Sequence, residues 1–215
     1  MGLSARASVG SSLVVATTEN LIRTALRLSW FTIIYNILEG IVAISLGVHE
    51  GSMALAGFGG DSLIEVGSAI LILWRLRGGS DKEWKASFGI GILFMLLAAI
   101  TLFSSVIQII SETSPNTTIP GVFISLVSLT FMFFLWNAKL KVGRALQSEA
   151  IMNDAACSLA CIKLSFTLLL GSAIYWMYPA LWWVDSLAAL ILVYFIAREG
   201  IQILKTSRQG RSVCC

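Results

Sequence analysis

The chain has 215 residues, 57% of them hydrophobic and 13% charged, with a formal net charge of +3. So much apolar side chain cannot be hidden inside one soluble core of this size, which excludes a soluble globular domain and points to an integral membrane protein. The small positive excess requires no nucleic-acid partner.

Six segments reach the ~20 apolar residues that cross a bilayer. They fall at about 24–46, 53–74, 86–110, 119–138, 150–176 and 183–204, joined by short loops with no long insertion or low-complexity tract. The expected fold is all-α, a polytopic membrane protein of six transmembrane helices in one domain over 24–205. A cytosolic N-terminal segment (1–23) precedes it and a short basic cytosolic tail (206–215) follows. The first ~20 residues lack the basic start, compact apolar run and small-residue cleavage site of a signal peptide. Arg6 spoils the myristoylation pattern that Gly2 suggests, so no processing is expected.

Basic residues set the orientation. With the N-terminus in the cytosol, Arg6, Arg23 and Arg27, the 75–85 loop, a 139–144 loop (Lys139, Lys141, Arg144) and the tail from Arg198 all lie inside. Fourteen of the fifteen Lys and Arg are then on one side, while the opposite loops GVHEGS, SETSPNTT and YPALW contain none. This positive-inside pattern places both termini in the cytosol. Asn116 begins a glycosylation sequon on the outer side, close to the membrane.

In the first span, Asn36 and Glu39 are three residues apart. In the second, GFGGDSLIEVGSAILILWRLR (57–77), Asp61 and Glu65 lie within roughly 40° of each other on a helix and about 6 Å apart along its axis. An Asp at mid-membrane costs about 2.5–3.5 kcal/mol on insertion scales. Two like charges this close repel unless a cation or shared protons lie between them. The alternative is a pair of protonated or ion-paired structural groups on a helix seam.

The fifth span holds SEAIMNDAACSLACIKLSF, in which Asp154, Cys157 and Cys161 share one helical stripe. Two helices each offering an i, i+4 pair converge on four ligands in a tetrahedron, and thiolate with carboxylate suits Zn2+ or Cd2+ better than Mg2+ or Ca2+. Against this, buried free cysteines are common as small apolar residues.

These residues carry a resemblance. YNILEG (35–40), GSMALAGFGGDSLIEV (51–66), NDAACSLAC (153–161) and WWVDSLAALI (182–191) are similar, in this order, to the transmembrane domain of the cation diffusion facilitator, or cation efflux, family. The resemblance covers nearly all of 26–205 and implies that the second and fifth helices each supply a metal-binding pair in mid-membrane. The second-span pair falls on Asp61 and Glu65. The fifth-span pair, usually His and Asp, falls on Cys157 and Cys161 when Asp154 is matched to the acid preceding the motif. Common members continue into a cytosolic metal-binding and dimerising domain, whereas this sequence ends about ten residues after Leu204, so a compact branch is expected. The only histidine, His49, is assigned to an outer loop.

Six metal-site residues are therefore expected: Asp61, Glu65, Cys157, Cys161, Asp154 and Glu39, the last as a deep acid whose alternative is a helix-packing hydrogen bond. Asp185 is read as a helix-start anchor beside Trp182 and Trp183. Lys163 lies roughly 180° around its helix from Asp154 and faces away from the metal stripe. Glycines 57, 59, 60 and 67 let the second helix approach and slide past a neighbour. Cys214 and Cys215 are either acylated or reduced thiols.

Thiols and carboxylates bind metal only after losing protons, so a site opening alternately to each side exchanges protons for metal. There is no GxxxxGK[ST] loop to bind ATP. The expected function is export of Zn2+, or of Cd2+ or another divalent transition metal, from the cytosol against protons, in a plasma or vesicle membrane, and the resemblance implies a homodimer. Two other classes stay open: a zinc-binding accessory protein acting on a partner transporter or channel, and a membrane scaffold with protonated, structural acids.

Overall fold

The structure, a computed structural model, describes residues 3–50, 53–111, 119–178 and 184–210. These form six α-helices: α1 (Leu3–Glu50), α2 (Met53–Gly78), α3 (Glu83–Ile110), α4 (Ile119–Leu146), α5 (Glu149–Met177) and α6 (Val184–Gly210). No strand occurs among the described residues, and the all-α expectation holds.

Two boundaries differ from those expected. α1 begins at Leu3 and runs through His49 to Glu50, so the first span is one part of a longer helix. α4 continues past residue 138 to Leu146. The run NAKLKV has no glycine or proline, so nothing in it stops a helix, and its charges alone had suggested a loop.

The turns that do form have local causes. α2 ends at Gly78, and the chain reverses through Gly79 at φ 83°, a left-handed conformation that glycine adopts without a Cβ clash. A single 3₁₀ turn (Ser80–Lys82) then leads into α3. Between α4 and α5 only Gln147 and Ser148 intervene. The Ser148 N–H bonds the Gly143 carbonyl at 3.0 Å, and its hydroxyl accepts the Ile151 N–H at 3.3 Å, capping α5. Glu83 completes this junction. Its carboxylate accepts from the Ser148 hydroxyl at 2.7 Å, from the Ala150 N–H at 2.8 Å and from the Arg75 guanidinium, tying the ends of α2, α3 and α5 together.

The helices pack chiefly as the pairs α1–α2, α3–α6 and α4–α5, with α2 and α5 meeting each other across the middle. Lipid is as apolar as a leucine side chain, so close packing has to hold helices together. At Gly59 a Cβ would stand 2.9 Å from both the Gly40 carbonyl oxygen and the Ile44 nitrogen, so the backbones of α1 and α2 touch there. Of the other glycines expected to bring α2 close to a neighbour, Gly67 faces Leu93, Gly60 faces open space and Gly57 lies outside the described side chains.

The distribution of polarity is that of a membrane protein. Large apolar side chains such as Trp30, Phe103, Phe123 and Phe134 are exposed on the outside. Asn36, Glu39, Asp61, Glu65, Lys139 and Asp154 are buried inside. Among the described residues, Thr18–Leu46, Glu83–Ile110 and Val122–Leu146 are long and apolar enough by composition alone to cross a membrane.

Candidate metal centre

The central site forms where α2 crosses α5. One face of α2 presents Asp61, Glu65 and Ser68, and the facing stripe of α5 presents Asp154, Cys157, Ser158 and Cys161; all seven are buried. Side chains at i and i+4 stand above one another on a helix, so each helix delivers its polar groups along one edge. The Cys161 thiol lies within side-chain hydrogen-bonding reach of both the Asp61 carboxylate and Cys157. Both thiols are free. Asp61 Oδ1 and Glu65 Oε1 are buried with no hydrogen-bond partner. An unpaired buried carboxylate oxygen is costly, which marks these two atoms as acceptors awaiting a donor or a cation.

The remaining charge is held by a residue that the sequence had placed in a cytosolic loop. Lys139 projects from α4 into the α2–α5 seam, where its side chain is only 2% exposed. Its ammonium lies 3.2 Å from Glu65 Oε2, 3.1 Å from Asp154 Oδ2 and 3.0 Å from the Ser158 hydroxyl. An ammonium has three protons, and here three acceptors take them. Asp154 also accepts from Ser68 on α2. Asp154 is thereby engaged on both oxygens, whereas Asp61 and Glu65 each keep one oxygen free of partners.

Glu39 belongs to a neighbouring cluster. Its carboxylate accepts from Tyr35 at 3.1 Å and from Ser62 at 3.0 Å, with Ser128 of α4 also within hydrogen-bonding reach. Asn36 is fully buried and donates to the Thr32 carbonyl, leaving its own oxygen unpaired. The polar groups therefore make a column inside the bundle. It runs from the Glu83 junction through Lys139 and Asp154 to Glu65, Asp61 and the thiols, and then to Glu39; Ser68 and Asp61 mark about 10 Å of it along α2.

Lys163 lies off this column, in a cleft of about 410 Å³ between α5 and α6 that Glu149, Arg198 and Glu199 also line, on the side expected from its helical angle. The side chain of Asp185, the sequon at Asn116, and Cys214 with Cys215 fall outside the described residues.

Among the described residues, no three His, Cys, Asp or Glu side chains are gathered closely enough to hold a metal ion together. The two half-sites are opposed across the seam but not drawn into a four-ligand cage, and Lys139 balances part of the charge on Glu65 and Asp154. Carboxylate oxygens on one side and sulfurs on the other form a donor set suited to a borderline-soft divalent ion.

Sequence reasoning missed Lys139, Ser68 and Ser158. A signal for Lys139 exists, since helical pattern continues unbroken from 131 through 142 and leaves Lys139 inside the fourth helix. The serines carry none beyond their spacing from the acids.

The model of the cation efflux transmembrane domain matches residues 25–210. Transmembrane protein 163 of Xenopus laevis is 26% identical over 192 residues, covering 86% of this chain and 68% of that protein. A six-helix membrane bundle, buried acids on its second helix and a family match over most of its length agree: the chain belongs to the cation efflux family, whose members move divalent cations across membranes.

Proposed function

We propose that this protein is a secondary transporter that exports Zn2+, or Cd2+ or another divalent transition metal, from the cytosol in exchange for protons. One observation carries the reading: Asp61 Oδ1 and Glu65 Oε1, buried and without partners on α2, sit in the same seam as the free thiols of Cys157 and Cys161 on α5. In the bound state these four residues supply the donors, while Asp154, engaged by Ser68 and Lys139, positions the helix that carries the thiols. Glu39, further along the column, is a relay position toward the outer face.

Charge balance supports proton exchange. With both thiols protonated, three ionised carboxylates (Asp61, Glu65, Asp154) against one ammonium leave a formal charge of −2, which two protons cancel; each thiol that ionises to bind the metal releases one further proton. Metal loading and proton release are therefore coupled, and a gradient of protons can drive the metal across. The basic ends of α2 and α4 support a cytosolic placement of both termini. The large apolar surface of a single bundle, together with the family resemblance, supports a homodimer.

The test is Zn2+ and Cd2+ flux into proteoliposomes at two internal pH values. Accumulation that rises as the interior is acidified, and is lost in Asp61→Asn, supports the reading. Metal binding without flux favours an accessory role instead, and metal affinity unchanged by Asp61→Asn favours a scaffold.

A further inference from the structure

The family's ligand pairs explain Asp61, Glu65 and the two cysteines. They leave unexplained why a fully buried lysine from a third helix reaches into the same seam. Lys139 is among the largest fully enclosed side chains of the protein, and its three contacts fall on both of the helices that form the site: Glu65 on α2, Asp154 and Ser158 on α5.

We propose that Lys139 is a tethered counter-cation that competes with the transported ion for Glu65, and so sets both the affinity of the site and the release of its cargo. The inference rests on the transport reading above. When the site is empty, the ammonium neutralises Glu65 and Asp154 and holds α2, α4 and α5 in register. A divalent ion arriving between Asp61 and the thiols draws Glu65 to itself, because a double charge at ligand distance attracts a carboxylate more strongly than a single charge at hydrogen-bond distance.

The geometry makes this exchange inexpensive. On losing Glu65 the ammonium retains Asp154 and Ser158, both on α5, so it gives up one acceptor of three and is never stranded without a partner. A lysine suits the role, since its compact charge rides on a flexible stem. When the ion leaves, the ammonium recovers Glu65 and disfavours rebinding. Lys139 stands on the Glu83-junction side of the column, the end toward the α4–α5 turn, so the returning charge also bars the way back to that face.

The experiment compares Cd2+ and Zn2+ binding to the purified full chain in lipid nanodiscs, as wild type, Lys139→Met and Lys139→Arg, alongside flux in proteoliposomes. Removing the competitor tightens binding in Lys139→Met by at least about tenfold and lowers the maximal flux, because release slows. Lys139→Arg keeps the charge and stays near wild-type affinity. Equal or weaker binding by a folded Lys139→Met overturns the inference while leaving the transport reading intact. Should Lys139→Met fail to fold, Asp154→Asn is compared with the Asp154→Asn, Lys139→Met double variant, which removes opposite charges together. The double variant binds metal about tenfold more tightly than the single one, and equal affinities overturn the inference. Absence of metal binding in the wild type and in every variant overturns the transport reading, and this inference falls with it.

Discussion

The Asp61 carboxylate on α2 and the Cys161 thiol on α5 face each other within hydrogen-bonding reach across the middle of the bundle. This contact joins the acidic edge of one helix to the sulfur-bearing edge of another, among helices whose outward faces are apolar. On the transport reading, a bound metal would displace the single proton shared between the two groups, so the contact that closes the empty site is the one that the ion replaces.

Asp61→Asn and Glu65→Gln each remove a charged oxygen that no other residue satisfies. Substitutions that only support a ligand cost about 10–100-fold in metal affinity, so loss of either acid costs about 100-fold or more. Titration of the purified protein with Cd2+ or Zn2+ measures it, and affinity within threefold of wild type, roughly 0.6 kcal/mol, contradicts the assignment.

Cys157→Ser and Cys161→Ser keep size and polarity near those of the native side chains but exchange a soft donor for a hard one. Preference shifts away from Cd2+ toward Mn2+ in parallel binding assays. Cys161 has the larger effect, since it lies within hydrogen-bonding reach of Asp61. A Cd2+ to Mn2+ ratio unaffected by both substitutions identifies the cysteines as packing residues.

Binding weakens as pH falls, because protons compete for the same carboxylates and thiolates. The sign follows from the donors: metal is held at high pH and expelled at low pH, by about tenfold per pH unit for each proton displaced. Flux into vesicles acidified inside exceeds flux into neutral ones. Insensitivity to internal pH points to uniport.

Gly59→Leu cannot be accommodated where the backbones of α1 and α2 meet, and it destabilises by about 1–3 kcal/mol or forces those helices apart. Gly60→Ala enters open space, and its thermal unfolding is unchanged or slightly raised. The difference between the two neighbours in melting temperature is the readout, and equal losses argue against the close approach.

Glu83→Ala removes the carboxylate that accepts from Arg75, Ser148 and the Ala150 N–H, which costs about 1–2 kcal/mol of stability. Thermal unfolding in detergent detects the loss, and Cd2+ affinity is retained because Glu83 lies beyond the ligand set. A melting temperature equal to wild type shows the junction to be dispensable.

Much of this molecule is written in local pattern. Apolar runs of bilayer length announce the helices, and the four-residue spacing of Asp61 with Glu65 and of Cys157 with Cys161 announces their faces, because helical geometry alone fixes which residues share an edge. Lys139 escaped that logic. Charge near the end of a span reads as a loop, and only the packing of α4 against α5 reveals that this lysine turns inward to meet Glu65 and Asp154. Glu39 was visible as a deep acid, but of its hydroxyl partners only Tyr35, one turn back on α1, follows from helical spacing, while Ser62 on α2 and Ser128 on α4 come from other helices. The state of the site was likewise hidden: a tetrahedron drawn from spacing ignores the internal cation that holds the acids when no metal is bound.

The most direct measurement is X-ray absorption at the zinc edge on protein loaded with one equivalent of Zn2+. The account predicts a mixed first shell, with sulfur at about 2.3 Å and oxygen at about 2.0–2.2 Å, whose sulfur component shrinks in Cys161→Ser and whose oxygen component shrinks in Asp61→Asn. A shell of light atoms alone, or a mixed shell that neither substitution alters, contradicts a metal held between α2 and α5.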